Sequence, residues 1–194
     1  MFYLPLGILV LTEAASLYLK GRCFGIDRSE TTNNIRIYKY LFLFSVILIL
    51  GWACFQSYQQ YQIFSASPIS KFFLPPHQSI AYFLKYSFTH FFKNYLISLG
   101  AGLLFLWLAN LLNHRYQKRF FEEEELYLGA LAIFIMGQPL WMIYFIAVMS
   151  VGVLGTLFFH VSCFMFHVSS RRFPFYYLWL PVAILVLIIG KILV

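Results

Sequence analysis

A membrane-spanning helix needs about 20 consecutive apolar residues, because the hydrocarbon core is roughly 30 Å thick and each residue rises 1.5 Å. This chain meets that requirement repeatedly. The runs "KYLFLFSVILILGWACF" (39–55) and "YLISLGAGLLFLWLANLL" (95–112) are uninterrupted. Others cover 2–19, the stretch from Leu126 to about residue 167 that is broken at Pro139, and 174–193, where Pro181 predicts a kink. An all-α polytopic membrane protein of about six transmembrane helices follows. Composition agrees: 11% of residues are charged, against about 25% in soluble domains, and mean hydropathy is +0.77. Such a chain has too little polar surface to cover a water-soluble globule. Residues 1–194 are read as one helical bundle without a soluble domain, repeat or linker.

Two segments depart from the simple pattern. Residues 126–138 would rise only about 20 Å, less than the core thickness. The joint "GQP" (137–139) then demands a tight hairpin, tilted or re-entrant. Residues 68–94 are aromatic yet hold Lys71, Lys85, Lys93, His77 and His90. Apolar positions recur there at Ile80, Phe83, Leu84, Phe88, Phe91 and Phe92, which predicts one amphipathic helix lying in the interface.

Charge sets the expected orientation. Loops 20–39, 113–125 and 168–173 share one side in a six-helix arrangement and hold most of the 14 Lys and Arg. The positive-inside rule makes that side cytoplasmic and puts the N-terminus outside. The start, "MFYLPLGILVLTEAASLYLK", reads as a first membrane helix and not as a removed signal peptide. The net charge of +7 sits between apolar runs, so its expected partners are anionic lipid head groups, not nucleic acid. Cys23, Cys54 and Cys163 form no C-x-x-C pair. Neither a zinc site nor a disulfide framework is expected, and no motif calls for a cofactor.

The acidic run Glu122–Glu125 stands directly before "LYLGALAIFIMG". In the six-helix arrangement the helix that follows it folds back, so that His160 and His167 return to the same membrane face. Those histidines are seven apart and share one helical face. A carboxylate beside an imidazole can activate water as a general base. On this reading Glu124, Glu125 and His160 are the catalytic candidates. The simpler reading is that negative charge at a helix N-terminus is favoured by the dipole and pairs with the nearby "RYQKR". Glu13 is the one acidic residue clearly inside an apolar run, where a carboxylate is expensive and often functional. Gly129, Ala130 and Ala132, with Gly100, Gly102, Gly152 and Gly155, are expected to let helices approach closely. Trp107, Trp141, Tyr144, Tyr176, Tyr177 and Trp179 are read as interfacial belts.

Most of the chain resembles the membrane core of type IV prepilin peptidases. The resemblance lies in "LPLGILVLTE", "YQQYQIF" at 58–64, "EELYLGALAIFIMG" and the closing "RRFPFYYLWLP". In that alignment Tyr58 and Glu125 stand where the family has its catalytic aspartates, and Glu122–Glu124 replace its glycines. A narrower stretch resembles the glutamate-dependent CAAX-type intramembrane proteases. There Glu123 and Glu124 match the paired glutamates and His160 the downstream histidine, while Leu128 and Thr156 replace the motif's Arg and Phe. With both motif sets incomplete, the expected function is a non-catalytic scaffold or assembly subunit of a larger membrane complex. The alternative is a divergent or degenerate intramembrane peptidase. A bacterial inner membrane and an organellar membrane fit equally well.

Overall fold

The structure, a computed structural model, describes residues 3–22, 28–116, 121–165 and 176–193, with side chains described over 4–17, 35–116, 121–158 and 178–192. His167 lies outside the described residues, and so does the side chain of His160. Every regular element among the described residues is helical. In chain order they are α1 (Tyr3–Arg22), α2 (Arg28–Ala66), α3 (Ile80–Ser87), α4 (Lys93–Arg115), α5 (Glu123–Met136), α6 (Leu140–Met165) and α7 (Tyr176–Leu193). Three stretches are long and apolar enough to cross a membrane: Ile35–Ala66, Ile80–Arg115 and Leu140–Phe158. Leu4–Leu17 and Leu178–Ile192 are shorter apolar helices.

The bundle is organised around α5. This helix is apolar on every side, and such a helix is stable only where other elements surround it. From Leu126 to Met136 all its residues but Tyr127 are buried. It packs against α1, α2, α4, α6 and α7. The helix ends at Gly137, whose φ of 65° is a conformation that side-chain-bearing residues rarely adopt. The chain then turns through Gln138 and Pro139 into α6.

The register between α4 and α5 is antiparallel and can be read from residue pairs. The Ser98 hydroxyl donates to the Phe134 carbonyl at 3.0 Å. Gly102 lies against Ala130, so close that a Cβ on Gly102 would sit 2.9 Å from the Ala130 carbonyl oxygen. Gly129 faces Phe105 of α4 and Trp179 of α7. The predicted small-residue seam is therefore made by Gly102, Gly129 and Ala130. Gly100 takes no part, because a Cβ there would meet nothing within 4 Å.

Two aromatics read as interfacial belts lie instead in the core. Tyr144 and Trp179 are both 0% exposed. The Tyr144 hydroxyl donates to the Trp179 carbonyl at 2.9 Å, which lets a phenol be buried without an orphaned polar group. Phe105 and Phe121 pack against the Trp179 ring at centroid distances of 5.3 and 6.4 Å. Trp107, by contrast, is exposed, as a belt residue would be.

The segment expected to form a separate interfacial helix is built differently. A π-helical turn, Phe88–Phe92, joins α3 to α4 without a loop, and the combined helical stretch is 36 residues, about 54 Å. The far end of α2 runs beside it. Tyr61 and Phe64 hold Phe83 between them at 5.3 and 5.9 Å, and Phe64 also meets Tyr86 at 5.4 Å. Phe83 is buried by these rings and does not face outward. Tyr95 lies against Gly137 at the end of α5, and Ile80 begins about 22 Å further along the helix axis. The outer parts of α2 and α3 thus form an aromatic-lined helical hairpin that runs on beyond α5.

Candidate functional site

The acidic run starts the central helix. Glu122 is extended (φ −71°, ψ 149°) and occupies the N-cap, with Glu123, Glu124 and Glu125 in the first turn. The first turn of any helix leaves N–H groups unpaired and carries partial positive charge. Glu125 answers both. Its Oε2 accepts the Glu122 backbone N–H at 3.1 Å, while its own backbone N–H donates to the Glu122 side chain. This is the reciprocal geometry of a capping box, with glutamate at the third helical position.

The approach to this turn is fixed by Asn113. Its Nδ2 donates to the Phe121 carbonyl at 2.8 Å, and its Oδ1 accepts the Phe121 N–H at 3.1 Å. One amide side chain thereby satisfies both backbone groups of the residue preceding the N-cap. Asn113 and Glu125 are each 4% exposed, so both sets of bonds are partly shielded from water. The sequence reading passed over Asn113. Its signal is a short polar amide ending an apolar run, a pattern shared by many helix ends.

The four glutamates differ in environment. Glu125 is buried, Glu123 and Glu124 are half-buried, and Glu122 is exposed. Each makes a polar or electrostatic interaction. Glu123 lines a groove of about 440 Å³ between the start of α2, the end of α4 and the first turns of α5. Ile35, Trp107, Asn110, Leu126 and Tyr127 share that groove.

The other candidates lie on other helices. Measured from the turn at 137–139, the N-terminus of α5 is about 21 Å away, whereas His160 is about 30 Å along α6 from Leu140. His160 thus lies about 10 Å further from the hairpin turn than the glutamates do. Tyr58 is on α2, 23 residues or about 35 Å beyond Ile35, which lines the same groove as Glu123. Tyr58 and Glu125 are not brought together. Glu13 is half-buried on α1 and faces α7, in a groove that none of the acidic run lines. No group of three or more metal-ligating side chains occurs among the described residues.

No protein-family model, curated protein or solved structure matches the chain.

Proposed function

We propose that this chain is an integral membrane protein that crosses the bilayer six times and serves as a non-catalytic scaffold or assembly subunit of a larger membrane complex. In this reading α1, α2, α4, α5 with its hairpin partner α6, and α7 provide the crossings. The N-terminus lies outside, and the basic loops lie on the cytoplasmic side against anionic lipids. The observation that carries the reading is the bonding of Glu125. Its carboxylate is buried and accepts a backbone N–H of its own helix start. A catalytic carboxylate needs a substrate-facing oxygen and a proton partner within reach. The acidic run serves instead to begin a helix that must be packed on all sides. Extraction in mild detergent followed by native mass measurement tests the reading. The expected result is a complex of fixed stoichiometry; a chain that emerges alone overturns it.

A second reading, a divergent intramembrane peptidase using Glu124 or Glu125 with His160, has one observation in its favour. The groove beside Glu123 brings a carboxylate, the Asn110 amide and the Tyr127 ring together. Cleavage of a membrane-spanning peptide by the purified chain, abolished by Glu124→Gln or Glu125→Gln, would establish it.

A further inference from the structure

Glu13 sits ten residues into α1, about 15 Å from its first residue and nearly as far from its last. It forms one wall of a groove of about 420 Å³ whose other lining residues are Pro181, Ile184, Leu185, Ile188 and Ile189 of α7. Those residues straddle the middle of α7, so the carboxylate is at mid-helix on both sides of the groove. Among the described residues no side chain or backbone N–H donates to it. Leu185, Ile188 and Ile189 are exposed, as are Val10, Leu11 and Leu17 on the neighbouring part of α1. The groove therefore opens away from the bundle.

A carboxylate at that depth is costly in hydrocarbon, and such groups pair with a donor or line a pathway. The groove's other lining residues are all apolar, so a donor for the carboxylate has to come from outside it. Neither helix that forms the groove supplies one along its apolar run: lysine and arginine are absent from 1–19 and from 173–190.

We propose that the groove between α1 and α7 is the docking site for a transmembrane helix of another protein that carries a lysine or arginine at mid-depth. The partner's apolar face packs on Leu185, Ile188 and Ile189, and its cation pairs with the Glu13 carboxylate. The inference deepens the subunit reading and rests on α1 and α7 being membrane spans.

The test uses the full chain in phosphatidylcholine vesicles. The probes are two fluorescent leucine–alanine transmembrane peptides, identical except for one central lysine or leucine, with association read by energy transfer. The lysine peptide should bind at least about tenfold more tightly than the leucine peptide. Glu13→Leu should abolish the preference and Glu13→Gln should weaken it. Leu185→Trp, which fills the groove with Glu13 intact, should weaken binding of both peptides. Equal binding of the two peptides, a preference that survives Glu13→Leu, or self-association through this face in place of peptide binding would overturn the proposal. A separate arm tests the spans. A Glu13→Cys chain whose native cysteines are replaced should resist a membrane-impermeant maleimide; ready labelling from either side removes the spanning reading itself, whatever the peptides do.

Discussion

The two hydrogen bonds between the Asn113 side chain and the Phe121 backbone, at 2.8 and 3.1 Å, tie the end of α4 to the start of α5. The next residue, Glu122, opens the capping box with Glu125 that begins the buried helix. Asn113→Ala removes both bonds and leaves the part-buried N–H and carbonyl of Phe121 without these partners. A loss of about 2 kcal/mol is expected, read as the denaturation midpoint in detergent. His114→Ala, at an exposed neighbour, should change little.

The two glycines of α4 should respond in opposite directions. Gly102→Ala puts a methyl group 2.9 Å from a backbone oxygen of α5, so the two helices must separate. The expected cost is about 1–3 kcal/mol. Gly100→Ala meets no atom within 4 Å and improves helix propensity, so it should be neutral or stabilising by up to about 1 kcal/mol. Matched unfolding curves of the two variants decide this, and equal losses would remove the close approach.

Much of this architecture was legible in the sequence, and the remainder was hidden for identifiable reasons. The apolar runs at 39–55 and 95–112 and the short helix before Gly137 follow from length and hydropathy alone. The extension of α2 through "QSYQQYQIFSA" did not, because its helix is held by Tyr61 and Phe64 meeting the distant rings of Phe83 and Tyr86. The expected interfacial helix is helical over the predicted residues but runs on into α4, and whether Phe83 meets lipid or protein is a tertiary choice that periodicity does not specify. Tyr144 and Trp179 resembled belt residues because belts and buried aromatics share composition; only the Tyr144 bond to the Trp179 carbonyl separates them. The glutamate run was visible as a helix start. The distinction between buried Glu125 and its more open neighbours was not, since it depends on which elements surround the first turn.

Tyr144→Phe isolates that aromatic bond. The ring stays packed while the donor to the Trp179 carbonyl is lost. A decrease of about 1 kcal/mol is expected in the unfolding free energy. Tyr144→Ala also empties a fully buried site and should cost about 3–5 kcal/mol.

Sidedness follows from the six-span reading. In a chain whose native cysteines are replaced, cysteines at Ser29 and His114 should be labelled from the same side of the membrane. A cysteine at Ser67, between α2 and α3, should be labelled from the other. Ser29 and His114 on opposite sides would exclude the six-span arrangement.

The central claim is that Glu122–Glu125 build the start of α5 and do no chemistry. Its most direct test is systematic substitution of these four residues and His160 in cells that depend on the intact chain, with protein level measured for each variant. Gln and Asp should be tolerated at Glu122, Glu123 and Glu124, each costing under about 1 kcal/mol. Glu125 should be the most sensitive, in proportion to loss of folded protein, and Gln should restore more than Ala because it keeps an acceptor for the Glu122 N–H. His160→Ala should retain function wherever protein level is retained. The contradicting result is one glutamate that rejects even Asp at full protein level, with His160 equally intolerant and the double variant no worse than either single one, as expected of residues acting as a catalytic unit.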